Sequence, residues 1–273
     1  MKIALVSMPM VDVRTPSLGL TQLKQVINYT FKDSIICDIH YCNHYFASKI
    51  GLDVYNILLA EFHSGIGEWL FRTHAFSDNL DTSDEYLQRY YMVGDFESEE
   101  ILALISSLRP KILDIFFEMI KHYNLTDYDI VGFTSLFHQN VASLAMARIL
   151  KEHNDSIITC IGGFNVDFPM GVEYIENCHW IDYIFSGPSL VSFPSFVSLL
   201  KENNIAKCRE LPGVFTKDCL QKKNEDDNYG ERLEINKITD LNYDSYLQSF
   251  KNYFSNSYIK PYLLYSTAEG CYW

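Results

Sequence analysis

Basic residues are scarce in this chain. Its 273 residues carry 22 Lys and Arg against 35 Asp and Glu, a formal net charge of −13, and no run of lysines exceeds a pair. Phosphate polyanions and anionic membrane surfaces need clustered cations, so nucleic acid and membranes are excluded as partners. Long apolar runs are missing too. The stretch 3–8 is too short for the hydrophobic region of a signal peptide and nothing approaches a membrane span, which makes the cytoplasm the expected compartment. Phosphate-cradling glycine motifs are also absent. The first apolar run is followed by Met8-Pro9-Met10-Val11-Asp12-Val13-Arg14-Thr15-Pro16-Ser17-Leu18-Gly19, not by Gly-x-Gly-x-x-Gly, and no Gly-x-x-x-x-Gly-Lys-Ser/Thr occurs anywhere. Nicotinamide, flavin dinucleotide and nucleoside triphosphate readings thereby lose their main support. The seven cysteines (Cys37, Cys42, Cys160, Cys178, Cys208, Cys219, Cys271) are odd in number and scattered, so they form no paired framework. Cys37 and Cys160 lie within apolar runs and read as small buried hydrophobes.

What is present is a large core: 48% hydrophobic residues and 15% aromatics. Five short runs rich in Val, Ile and aromatics, at 3–7, 35–40, 130–134, 157–161 and 181–185, read as strands. They are nearly continuous rather than alternating, as in a parallel sheet covered on both faces by helices. Helical spacing follows at 18–29, 141–152 and 194–203. The βαβα order predicts an α/β fold with a flavodoxin-like, Rossmann-like five-stranded parallel sheet, its ligand beyond the carboxyl ends of the strands. Between the second and third strands, residues 45–125 are too long for a simple connection. There Ile101, Leu104, Ile105, Leu108, Ile112, Phe116 and Ile120 repeat at helical spacing, and Pro110 predicts a kink or a new start. This insertion is expected to be a helical subdomain, with Glu68-Trp69-Leu70-Phe71 serving packing. Residues 211–215 predict a further strand, and the polar run 221–232 a solvated turn.

Candidate ligand contacts follow from the sheet edge. Gly162-Gly163 and Gly187 come directly after the fourth and fifth strands, where a missing Cβ allows close approach to the backbone or simply makes a turn. The third strand ends in Thr134-Ser135-Leu136-Phe137-His138-Gln139-Asn140 and enters a helix. Ser135 and Asn140 suit either ligand contact or helix capping. His138 reads equally as a surface imidazole or as a donor or ligand, since no second His or Cys stands at ligand spacing.

Several segments, in order, carry a family resemblance: Pro16-Ser17-Leu18-Gly19-Leu20, Gly67-Glu68-Trp69-Leu70-Phe71, Asp129-Ile130-Val131-Gly132-Phe133-Thr134, Phe137-His138-Gln139-Asn140-Val141-Ala142-Ser143-Leu144 and Gly162-Gly163. Together they resemble the amino-terminal half of cobalamin-dependent radical S-adenosylmethionine (SAM) proteins, in the branch that methylates or matures ribosomally made peptides. Asp240-Leu241-Asn242-Tyr243-Asp244-Ser245-Tyr246 resembles the linker before their catalytic barrel, and Thr267-Ala268-Glu269-Gly270-Cys271-Tyr272-Trp273 the first part of the loop that binds a 4Fe–4S cluster. The resemblance implies a cobalamin-binding α/β domain over 1–205, a linker with short strands over 206–265, and at 266–273 the start of a truncated radical SAM domain. It implies a corrinoid on the carboxyl edge of the sheet, which nominates Pro16, Ser17, Leu18, Phe137, His138, Gln139, Asn140, Gly162, Gly163, Phe164 and Gly187. Cys271 would be one ligand of an incomplete cluster motif.

Cobalamin mutases and methionine synthase carry Asp-x-His-x-x-Gly after the first strand, and this chain does not. Asp38-Ile39-His40 and Glu61-Phe62-His63 begin similarly but in other elements, and both are discounted. Cobalt is therefore expected to lack a protein nitrogen beneath it. The chain also departs from its relatives in having Gly187-Pro188-Ser189-Leu190 after the fifth strand. A cluster needs three converging thiolates, so the chain alone is not expected to cleave SAM; cluster and SAM belong to a complete protein, with a peptide substrate or a separately encoded barrel as partners. The alternative reading is a stand-alone binding or interaction module without catalytic activity, or a degenerate one that holds no corrinoid.

Overall fold

The computed structural model describes residues 1–77, 79–91, 96–222, 224–234, 237 and 241–266. Six strands form one sheet: β1 (Lys2–Ser7), β2 (Ile36–Tyr41), β3 (Ile130–Thr134), β4 (Ile158–Gly162), β5 (Tyr183–Phe185) and β6 (Val214–Phe215), in the order β2-β1-β3-β4-β5-β6. β1 pairs in parallel with both β2 and β3, placing Ile3 beside Cys37 on one side and Ile130 on the other. β3 with β4 and β4 with β5 continue the parallel pairing. Burial explains the sequence pattern. β1 is buried at five consecutive positions, as a strand covered on both faces must be. β2, at the sheet edge, alternates instead, with Cys37, Ile39 and Tyr41 buried and Asp38 and His40 less so.

Beyond the five parallel strands expected, the structure adds β6, which makes the sheet mixed. It runs antiparallel to β5, with Ile184 opposite Phe215 and Phe185 opposite Val214. Val214 and Phe215 are fully buried. The short strand thus satisfies backbone groups that the outer side of β5 would otherwise expose.

The helices are α1 (Leu18–Phe31), α2 (Cys42–Ile50), α3 (Leu52–Ala60), α4 (Ile66–Trp69), α5 (Arg72–Ala75), α6 (Ser83–Tyr91), α7 (Phe96–Leu108), α8 (Ile112–His122), α9 (Asn140–His153), α10 (Met170–Asn177), α11 (Ser192–Lys201) and α12 (Asp244–Phe254). Helices α2 to α8 fill the chain between β2 and β3, so this region is helical. Around Pro110 the helix breaks as expected: α7 stops at Leu108 and α8 starts at Ile112 after one tight turn. Ile112, Ile115, Phe116, Met119 and Ile120 then form the buried stripe of α8. Trp69, Leu70 and Phe71 are core residues. Among the described residues, no helix is long and apolar enough to cross a membrane.

Residues after the fifth strand also join the core, through Val214, Phe215, Tyr246, Phe250 and Phe254. The last three lie on α12 and surround His44 of α2, whose ring stacks on Tyr41 at 5.1 Å. His44 is fully buried, with Nε2 2.9 Å from the Val13 carbonyl and Nδ1 2.9 Å from Ser249 Oγ. It therefore ties the loop after β1 to α12. Desolvation pulls its pKa from 6.5 down to about 4. Between those values the unfolded chain takes up a proton that the folded chain refuses. The stability from neutral His44 is present above pH 6.5 and is lost as pH falls toward about 4, approaching roughly 1.4 kcal/mol per pH unit. His40, similarly lowered by burial, acts in the same direction. The urea midpoint should fall as the pH drops below 6.5, and His44→Gln, though less stable overall, should fall less steeply. Parallel slopes for the two proteins would contradict this role.

Candidate functional site

Parallel strands all end at one edge, so the segments that follow them converge there. Together they enclose a cavity of about 750 Å³. The loop after β1 contributes Val11, Thr15, Pro16 and Ser17, and α1 continues the wall with Leu18, Gly19 and Leu23. Leu136, Phe137 and Gln139 follow β3, Gly163, Phe164 and Asp167 follow β4, and Gly187, Pro188 and Leu190 follow β5. Of the eleven residues nominated from the sequence, Pro16, Ser17, Leu18, Phe137, Gln139, Gly162, Gly163, Phe164 and Gly187 are brought together on this wall.

His138 and Asn140 are not on it. The His138 ring turns toward the helical insertion and stacks on Phe62, with centroids 4.4 Å apart and planes 7° from parallel. Asn140 instead works inside the scaffold. Its Oδ1 accepts from Ser135 Oγ at 3.2 Å, and its Nδ2 donates to the Tyr174 hydroxyl at 2.7 Å. Asn165 extends the network, its Nδ2 donating to Ser135 Oγ at 3.0 Å and to the Phe137 carbonyl at 2.9 Å. On the other side Gln139, almost fully buried, donates through Nε2 to the Met8 carbonyl at 2.6 Å and to Ser7 Oγ at 3.2 Å. The turn after β3 thus holds the loops after β1 and β4 in place. Ser17 has two roles: it lines the cavity and caps α1, accepting from the Leu20 amide at 3.3 Å.

Two aromatic residues stand at the cavity with open faces. Phe137 is 68% exposed and Phe164 82%. Phe137 also sits at φ +50°, a left-handed conformation that costs a bulky residue about 1–2 kcal/mol. Gly163 is obligatory here: its φ is +110°, and an added Cβ would lie 2.5 Å from the Ser135 carbonyl oxygen. The second tight crossing involves Gly230, whose amide donates to the Ser186 carbonyl at 2.9 Å and where a Cβ would lie 2.1 Å from the Pro188 oxygen. The later part of the polar run 221–232 is therefore no free turn. It presses Tyr229, Gly230 and Arg232 onto the cavity, and Leu264 joins them.

The wall carries little charge: Asp167 and Arg232 are its charged residues among those described. Cys160 also contributes, with a thiol that burial pushes well up. No histidine lines the cavity among the described residues, and none of their His, Cys, Asp and Glu groups form a cluster able to hold a metal. Cys271, with the rest of 267–273, lies outside the described residues.

Sequence reasoning missed Glu68, assigning its segment to packing alone. The carboxylate reaches from α4 to the start of α9, where Oε1 accepts from the Asn140 amide at 3.2 Å and Oε2 from the Val141 amide at 2.6 Å. It caps a helix that starts 72 residues further along the chain, so no local pattern announces it. Burial pushes its pKa from 4.5 up to about 7, against the two amides that favour the anion. The folded chain therefore holds this proton to higher pH than the unfolded chain. Its contribution to stability is complete below pH 4.5 and is lost as pH rises through about 7, opposite in sign to His44. Glu68→Ala should cost about 1–2 kcal/mol of unfolding free energy in urea titrations. Glu68→Gln, which keeps one acceptor, should gain on the wild type as pH rises from 4.5 to about 7; a constant difference across that window would refute the assignment.

Comparison with known protein families finds no model that matches the chain, and a search of curated proteins finds no match.

Proposed function

We propose that the chain binds a corrinoid, cobalamin or a close relative, across the carboxyl edge of its sheet, as the amino-terminal portion of a cobalamin-dependent radical SAM methyltransferase or peptide-maturation protein. The observation that carries this reading is the cavity: four loops from successive parallel strands enclose a broad space that is weakly charged, with Phe137 and Phe164 exposed beside it. A corrin ring has wide, flat faces and amide side chains at its rim, and a weakly charged wall with exposed aromatic rings would suit those faces. The parallel strand order 2-1-3-4-5 favours the flavodoxin-like arrangement, whose ligands lie at this edge. Pro16, Ser17, Leu18, Phe137, Gln139, Gly163, Phe164 and Gly187 would hold the group. His138 and Asn140 would support them from behind, through the packing and hydrogen bonds described above.

Bound there, a corrinoid would supply a cobalt able to carry a methyl group. The chain's own part would be to bind and orient it, and among the described residues the wall offers no imidazole to the metal. The 4Fe–4S cluster does not fit the described residues: their cysteines form no group able to hold a metal, and burial raises the thiols of Cys37, Cys42, Cys160 and Cys178. Cluster, SAM and substrate peptide belong to the complete assembly on this reading, and the compartment would be the cytoplasm.

Purified protein mixed with excess hydroxocobalamin and desalted should retain the corrinoid absorbance. Gly19 lies on the wall, and a Cβ added there meets nothing within 4 Å. Gly19→Trp should therefore fill the cavity and reduce retention at least tenfold while leaving the urea midpoint unchanged. Colourless wild-type protein would overturn the reading. A second measurement concerns the metal. With aquocobinamide, which brings no base of its own, the reduced cobalt should give an electron paramagnetic resonance spectrum without nitrogen splitting; splitting would place a protein nitrogen on the cobalt.

A further inference from the structure

Asp167 and Arg232 differ in how far their charges are already engaged. Asp167 Oδ1 accepts the Gly187 amide at 2.6 Å. Arg232 has no ion-pair or hydrogen-bond partner among the described residues, although Arg14, Arg72, Arg109 and Arg148 all pair with carboxylates. Its place on the wall is nonetheless built. Two residues earlier, Gly230 is locked against Ser186 and Pro188, and the Tyr229 hydroxyl donates to the Phe168 carbonyl at 2.9 Å. The chain therefore enters the cavity wall at a fixed point.

Arg232 is exposed at the cavity wall, and a ligand seated against it would take water from its guanidinium. Covering a cation with apolar surface is unfavourable unless the ligand brings the counter-charge. The chain as a whole, at net charge −13, opposes anions, with that field screened over about 8 Å at physiological salt. A ligand with one localised negative group against Arg232 satisfies both conditions, and a planar guanidinium pairs with phosphate oxygens through two parallel hydrogen bonds. Resting on the corrinoid reading, we infer that Arg232 is a specificity residue for the phosphodiester of the nucleotide tail. The site prefers complete cobalamins to corrinoids without that tail.

The test uses the full chain, two ligands and three proteins. Hydroxocobalamin carries the phosphodiester, whereas aquocobinamide lacks phosphate, ribose and base. Wild type should bind hydroxocobalamin more tightly. Arg232→Gln should weaken hydroxocobalamin about tenfold and change aquocobinamide by less than about twofold, and Arg232→Lys should lie between. Comparing the same substitution on both ligands cancels contacts made by the base. Equal losses for both ligands, or none for either, would overturn the inference while leaving the corrinoid reading intact. Absence of binding by wild type to both ligands would overturn the corrinoid reading, and the inference with it.

Discussion

The turn over residues 135–140 fixes the walls around it. Gln139 reaches the first loop through the Met8 carbonyl, and Ser135 reaches the fourth strand, its amide donating to the Gly162 carbonyl at 2.7 Å. Asn165 binds the same turn from the other side, and Glu68 secures its junction with α9. Removing one member would leave buried partners unsatisfied, which costs more than one average hydrogen bond. That interdependence explains why the polar residues at the end of β3 serve mainly the shape of the cavity. The side chains left to face a ligand are chiefly apolar.

Legibility in the sequence followed locality. β1, β3 and the start of α1 were readable because continuous apolar runs and helical spacing are local signals that packing reinforces; the Ser17 cap emerged only in the structure. The same holds for Pro110, whose ring breaks a helix wherever it stands. β6 was readable as a strand from residues 211–215 but not as an antiparallel partner of β5, because its orientation depends on where the chain returns after α11. Its pairing makes the sheet mixed.

The site divides in the same way. Nine nominated residues meet on one wall because they follow parallel strands, and topology alone brings such positions together. His138 and Asn140 sit in the same short segment, yet their side chains leave the cavity. A tight turn reverses side-chain direction from one residue to the next, and only the packing of Phe62 and Tyr174 decides which way each points. Tyr229, Gly230 and Arg232 escaped notice because a polar run resembles a solvated loop. The glycine within it was the one available signal, since Gly230 stands where two backbones cross.

Phe137 shows how the fold and a ligand would share free energy. Holding this residue at φ +50° is unfavourable, and the Asn165 hydrogen bond to its carbonyl helps maintain it without a ligand. Its ring gains nothing comparable in return, because it is left 68% exposed beside Phe164 at 82%. Covering a phenylalanine fully is worth about 1.5–3 kcal/mol, and partial covering proportionately less. A flat apolar partner seated across both rings would therefore recover an amount of the same order as the strain already present in the free protein. Because the turn is hydrogen-bonded in advance, little of that gain would be lost to ordering the loops. On the proposed reading, loosening the network would weaken binding without touching a ligand contact, so the polar residues behind the wall would matter to affinity alongside the apolar residues on it.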